Sequence, residues 1–315
     1  MASSLQAGLS HPPGLLGHIG NTPVVPVSGL EGVRDEVMVL GKAEWFNPGG
    51  SVKDRAAWAM VRDGMERGAL IPGRRLMDAT SGNTGIAYAW IGAVLGWGVT
   101  LCVPANASPA RLRLLEALGA ELVLTDRMEG TDGAIREARR RVAEAPDRYF
   151  YPDQYSNPAN WRAHYETTAE EIWAQTRGRV THLVAGVGTS GTLVGTARRL
   201  RELQPLLHAV AVQPDSPYHA LEGLKHLATA MVPAIYDSAA HQDTVEVASE
   251  AAIEMVERQA RRGLLVGWSA GAALVAAERV AQRLERGVVV AIFPDSGERY
   301  LGEPLWERGR REPAP

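Results

Sequence analysis

The 315-residue chain has one cysteine, three phenylalanines and only three lysines. The lone Cys102 cannot close an intramolecular disulfide or build a thiolate zinc cage, so cysteine usage gives no sign of an oxidising compartment. Its apolar setting, VTLCVPA, suits a buried core thiol better than a nucleophile. The lysines are Lys42, Lys53 and Lys225, so chemistry that needs a lysine amine has three candidates. An excess of one charge is also missing. With 33 basic and 36 acidic residues the net charge is -3, which offers no electrostatic reason to expect a nucleic-acid partner.

Long apolar runs are scarce too. Residues 86–104 carry no charge over roughly the length a bilayer requires. Gly96 and Gly98 interrupt them, and a buried helix followed by a buried strand accounts for the pattern better than a membrane span. The first residues, MASSLQAGLSHPPGLLG, have neither the basic start nor the apolar stretch of a secretory signal, and a cytoplasmic protein with no membrane partner is expected. No H-E-x-x-H or H-x-x-E-H occurs and no His/Asp/Glu cluster has ligand spacing, so no protein-bound metal is expected. The basic run at 136–148 has Glu137 and Glu144 interleaved and Ile135 and Val142 seven apart, the pattern of a solvated face on an amphipathic helix.

Short apolar runs at 37–45, 75–80, 99–105, 120–126, 148–154, 181–188, 208–215 and 288–296 read as strands. Helical patterns lie between them at 52–67, 84–95, 109–118, 131–145, 160–175, 192–203, 249–262 and 270–284. Their alternation predicts a parallel α/β architecture, and 45% hydrophobic residues suffice for one large domain or two joined ones.

Three glycine-rich turns carry candidate chemistry. GVGTSG, residues 186–191, follows a strand and opens a helix, so the amides of Gly188, Thr189, Ser190, Gly191 and Thr192 can surround a phosphate. The G-x-G-x-x-G pattern also admits a NAD-binding Rossmann protein, with Asp215 as a late ribose acid. GWSAG, residues 267–271, matches a nucleophile elbow, but no histidine follows Ser269, so a hydrolase triad is excluded. TSGNTG, residues 80–85, clusters donors at a helix start and suits a carboxylate. Upstream, NPGGSVKDR places Ser51 as a helix cap and Lys53 in the first helical turn, where a positive helix end disfavours the ammonium form and frees the amine.

NPGGSVKDR, TSGNTG, DQYSNPAN, GVGTSGT and PDSGERY follow one another in the order found in the cysteine synthase (O-acetylserine sulfhydrylase) and cystathionine β-synthase family, which the chain resembles from Ile19 to about Leu305. Gly49 and Gly50 resemble the B-like branch of the cysteine synthases. The resemblance implies pyridoxal 5'-phosphate as cofactor and a two-domain α/β fold with open, twisted, mostly parallel sheets, similar to the tryptophan synthase β-subunit (fold type II). Residues 1–41 and 153–315 would form the larger cofactor-binding domain, and 42–152 a smaller mobile one.

By the same resemblance Lys53 forms the Schiff base with the cofactor and then acts as the base at the substrate Cα. Asn83 bonds the cofactor's 3-oxygen, and Thr80, Ser81, Thr84 and Gln154 hold the substrate carboxylate. Gly188, Thr189, Ser190, Gly191 and Thr192 cradle the phosphate, and Ser296 meets the pyridine nitrogen. Alternation along the strand points the adjacent Asp295 elsewhere, in a structural role. The implied activity is a transferase or lyase reaction, β-replacement on O-acetylserine with sulfide or another thiol to make L-cysteine, and the implied assembly is a homodimer. O-phosphoserine, thiosulfate or homocysteine are alternative reactants. Lys225 and His226 depart from the family's common pattern in residues 217–237, and Lys225 is a candidate reader of a phosphate or sulfonate. Trp268 and Ala270 depart from the usual serine-rich turn and are expected to narrow the pocket.

Overall fold

The computed structural model describes residues 14–80 and 82–302. Two sheets organise them. The larger contains β1 (Val24–Pro26), β2 (Val37–Ala43), β7 (His182–Gly186), β8 (His208–Pro214), β9 (Asp243–Val247) and β10 (Gly287–Phe293), in the order β1-β2-β10-β7-β8-β9. All its pairings are parallel except β1 on β2. The smaller contains β3 (Arg75–Ala79), β4 (Val99–Pro104), β5 (Glu121–Thr125) and β6 (Tyr149–Phe150), ordered β5-β4-β3-β6 and wholly parallel.

The crossovers are helical: α1 (Lys53–Glu66), α2 (Asn83–Leu95), α3 (Pro109–Ala117), α4 (Gly130–Glu144), α5 (Pro158–Ala163), α6 (Ala169–Gln175), α7 (Gly191–Leu203), α8 (Ser249–Ala260) and α9 (Trp268–Ala281). Side-chain alternation explains why both faces of each sheet need cover. Val184, Val210, Val212, Val289 and Ala291 enter one core with α9, while Leu183, Ala185, Ala209, Ala211, Val290 and Ile292 enter the opposite core with α7. In the smaller sheet Leu76 and Leu101 face one side, and Met77 and Cys102 the other. Cys102 is therefore a core thiol, and burial pushes it up to about 11. The uncharged stretch at 86–104 divides at Gly96, whose φ of 70° ends α2 before β4 begins. Among the described residues no helix is long and apolar enough to cross a membrane. On α4, Arg140 and Arg141 pair with Glu137 of the same helix at 2.8 and 2.6 Å, so the basic run is a solvated face.

Three elements differ from expectation. β1 and β9 lie at sheet edges and are short or polar, without the apolar runs that mark central strands. The pattern at 160–175 is broken by a π-helical turn, His164–Thr168, between α5 and α6. Here α7 comes so close that a Cβ on Gly195 would lie 2.0 Å from the Trp161 carbonyl oxygen.

Beyond the C-terminal end of β2, α1 is fastened by buried charge. Arg55 reaches Glu44 at 2.7 Å and Glu171 at 2.6 Å, and Lys42, 0% exposed, meets Glu171 at 2.7 Å. Burial alone would push Glu44 up, but the charge and hydrogen bonds of Arg55 outweigh it and hold Glu44 at about 2. This is the structural pairing in which Lys42 takes part. The strand ends also explain where the motifs meet: β2, β7 and β10 lead into the lysine turn, GVGTSG and PDSGERY, while β3 leads into TSGNTG. Ligand sites in open α/β sheets form beyond such carboxyl ends.

Candidate active site

The lysine turn is built around backbone that side chains would obstruct. A Cβ on Gly49 would lie 2.1 Å from Trp90 Nε1, and Gly50 has φ +77°. The Gly49 N–H donates to Asp54 Oδ2 at 2.6 Å, and Trp90 Nε1 donates to the other oxygen at 3.3 Å. Burial raises Asp54 to about 7 against these hydrogen bonds. The Val52 N–H donates to the Pro294 carbonyl at 2.8 Å, and the Lys53 N–H donates to Ser51 Oγ at 3.3 Å; the cap position itself falls on Val52, one residue after the expected Ser51. Lys53 opens α1 and lines a cavity. Burial lowers its pKa, and the Asp295 carboxylate opposes that shift. The leading cause is thus desolvation, which favours a neutral amine.

Across the cavity GVGTSG enters α7. Gly188 is compulsory, because a Cβ there would lie 2.0 Å from the Gly223 carbonyl oxygen. Ser190 adopts φ +71°, is 2% exposed, and its buried Oγ has no hydrogen-bond partner among the described residues. Thr192 Oγ1 lies 3.3 Å from His164 Nε2, and His164 Nδ1 lies 2.9 Å from Thr168 Oγ1. Burial holds His164 down at about 3, so its imidazole is neutral. Gly188, Thr189, Ser190 and Thr192 line the cavity.

TSGNTG faces them from the smaller sheet. Thr80 Oγ1 accepts from the N–H groups of Gly82 and Gly85 at 3.2 and 3.3 Å. Thr84 Oγ1 donates to Gln154 Oε1 at 2.9 Å, and Gln154 Nε2 donates to the Ala79 carbonyl at 3.1 Å. Thr80, Asn83, Thr84 and Gln154 line the same cavity, whereas Ser81 lies outside the described residues. Asn160, which the sequence did not single out, donates to the Gln154 carbonyl at 2.7 Å and to Thr189 Oγ1 at 3.2 Å. It ties the carboxylate side to the phosphate side. Its place within DQYSNPAN was the available signal.

The loop over the cavity contributes Glu222 and Lys225. Glu222 pairs with Arg111 of α3, which lies over the Tyr300 ring at 5.5 Å. Lys225 Nζ sits 5.0 Å from the Tyr155 ring centroid and 4.0 Å from Asp132 Oδ1. Burial lowers its pKa against the pull of Asp132. His226 is not brought to the cavity; its Nδ1 lies 2.8 Å from Thr229 Oγ1.

Ser296 is likewise not brought there. The chain turns back after β10 so that Ser296 bridges to Val266, and its Oγ accepts from the Glu298 N–H at 3.4 Å. Ser269 does line the cavity, 4% exposed in the first turn of α9. The GWSAG turn was visible in sequence, where its serine reads as a small residue of a tight strand-to-helix turn with a ligand contact left open. Trp268 stacks on Tyr300 at 4.9 Å, and neither it nor Ala270 lines the cavity, contrary to the expected narrowing.

Pyridoxal phosphate fits this donor set. The orphaned Ser190 hydroxyl and the helix start suit its phosphate, Lys53 its aldehyde, and Asn83 and the Ser269 hydroxyl its ring substituents. A dinucleotide does not explain the site: Asp215 is exposed and absent from the cavity lining, and TSGNTG and Lys53 would have no role.

Comparison with known proteins agrees. Residues 15–295 match the family described as pyridoxal-phosphate dependent enzyme. The chain is 48% identical over 295 residues to a cysteine synthase from Aquifex aeolicus, covering 91% of this chain and 90% of the relative. It is 38% identical over 290 residues to cysteine synthase B from Pseudomonas aeruginosa, covering 92% and 96%. Its fold is similar to the crystal structure of cysteine synthase (OASS) from Entamoeba histolytica, with a TM-score of 0.90, 34% identity and coverage of 96% and 92%.

Proposed function

The chain belongs to the pyridoxal-phosphate dependent enzyme family, and from that premise we propose that it makes L-cysteine by β-replacement on O-acetylserine with sulfide. The observation that carries this reading is that Lys53, the phosphate loop and the carboxylate loop line one cavity. The bound cofactor supplies an electron-accepting ring conjugated to the substrate Cα.

The residues divide the remaining work. Gly188 to Thr192 anchor the phosphate with backbone N–H groups and the Ser190 hydroxyl. Thr80, Thr84 and Gln154 hold the substrate carboxylate, with Gln154 oriented through both ends of its amide. Lys53 would hold the cofactor through its side-chain amine. That amine, kept neutral by burial, would take the substrate Cα proton as acetate leaves from Cβ and return a proton to Cα as sulfide adds at Cβ. Ser269 offers a neutral hydroxyl to the ring nitrogen, the role first assigned to Ser296. A hydroxyl does not hold a proton there as a carboxylate would, which suits elimination over transamination. The pair Arg111–Glu222 joins α3 to the loop over the cavity and helps exclude water.

Lys225 favours a second reading of the finer specificity, in which the leaving group or sulfur donor carries extra negative charge, as in O-phosphoserine or thiosulfate. Incubating the holoenzyme with O-acetylserine or O-phosphoserine, each with sulfide or thiosulfate, and identifying the amino-acid product decides between them. Failure to form cysteine or S-sulfocysteine from any pair overturns the β-replacement reading.

A further inference from the structure

Asn83 is held at both ends of its amide by charged groups of opposite sign. Its Nδ2 donates to Asp295 Oδ2 at 2.6 Å, an oxygen that also accepts from the Tyr300 hydroxyl at 2.7 Å. Its Oδ1 accepts from Arg299 Nη1. The second arm of the same guanidinium, Nη2, donates to the Gly49 carbonyl in the lysine turn. A Cβ on Gly50 would lie 2.5 Å from that nitrogen, so the glycine pair gives Arg299 its seat.

A carboxamide has nearly identical shape in its two flipped forms, and only its partners decide which end faces which way. A carboxylate requires the NH2 end and a guanidinium requires the oxygen. Asp295 uses one of the two Nδ2 hydrogens and leaves the second available to the cavity, which Asn83 lines. The flipped amide would set its oxygen against Asp295 and its hydrogens against Arg299.

We propose that Arg299 is a positioning residue that fixes the polarity of the Asn83 amide and its register to the Lys53 turn, so that Asn83 presents N–H to the cofactor's 3-oxygen. This inference rests on the pyridoxal phosphate reading of the cavity. Arg299 acts through Asn83, and its fork reaches Asn83 and Gly49 together, which a lysine cannot do.

The test is a double-mutant cycle read by the dissociation constant for pyridoxal phosphate and by the visible absorbance maximum of the loaded protein. Arg299→Ala weakens cofactor binding about tenfold and shifts the absorbance in the Asn83 protein, but changes affinity by less than about twofold in the Asn83→Ala background. Arg299→Lys, which keeps the charge, gives an intermediate loss and serves if Arg299→Ala does not fold. Equal losses in both backgrounds, or none in the Asn83 protein, overturn the proposal. Failure of the unmutated protein to bind pyridoxal phosphate would instead overturn the cofactor reading.

Discussion

The backbone N–H of Val52 donates to the carbonyl of Pro294 at 2.8 Å, so the residue before Lys53 is fixed to the segment leaving β10. Lys53 is thereby held where the charge of Asp295 opposes the lowering of its pKa by burial. The lysine turn depends on two distant parts of the chain meeting at the ends of neighbouring strands, since β2 and β10 pair along their whole lengths.

Substituting Gly188 tests the phosphate loop. Gly188→Ala places a Cβ 2.0 Å from the Gly223 carbonyl oxygen, and backbone on both sides leaves little room to yield. Over-packing of this kind costs ~1–3 kcal/mol, so cofactor affinity falls about tenfold or more. Titration of the cofactor-free protein with pyridoxal phosphate measures it.

The two serines separate by spectrum. Ser269→Ala shifts the visible absorbance of the bound cofactor and lowers turnover, because Ser269 lines the cavity. Ser296→Ala leaves the spectrum in place and costs a helix-end hydrogen bond and a long one to the Leu265 carbonyl. Absorbance scans of the two variants, side by side, check the assignment.

Removing Arg55 tests the buried charge cluster. Arg55→Met leaves Glu44 without its ion-pair partner and Glu171 with Lys42 alone, and breaking a buried pair in this way costs about 3–5 kcal/mol. Urea unfolding of the cofactor-free protein shows the loss as a lower midpoint with an unchanged slope.

His164 sets an acid limit. Its folded pKa of about 3 lies below the ordinary 6.5, so between those values the unfolded chain binds more protons than the native one. Stability is therefore fully present above pH 6.5 and falls as the pH drops toward 3. His164→Gln flattens this part of the curve. Thermal melts of both proteins from pH 8 to pH 4 measure the difference.

A role for Lys225 in reading anionic reactants is tested by removing its charge. Lys225→Met lowers kcat/KM for O-phosphoserine or thiosulfate by about tenfold, the effect of losing one charge-assisted contact, and leaves O-acetylserine with sulfide within about twofold. Equal effects on all reactants would remove Lys225 from substrate selection.

Much of this site was legible in the sequence because its parts are local. A glycine-rich turn at a helix start announces an anion site whether or not its partners are known, and Lys53, Gly188 and Thr84 stand where their motifs put them. Central strands were equally plain, since burial on both faces leaves continuous apolar runs such as Val99–Pro104. β1 and β9 escaped because edge strands need no such run. Ser296 and Ser269 could not be separated by pattern, since each follows a strand or turn near a glycine. Only the reversal of the chain after Phe293 turns one away and leaves the other facing the cavity. Arg299 escaped for a similar reason: its partners, Gly49 and Asn83, are more than two hundred residues away.

The small number of lysines makes the central claim open to one direct measurement. The loaded protein is treated with borohydride, which reduces the carbon–nitrogen double bond joining cofactor to lysine, then digested and sequenced by mass spectrometry. The account predicts the reduced cofactor on Lys53 alone, with Lys42 and Lys225 unmodified. Label on either of those lysines, or on none of the three, would contradict it.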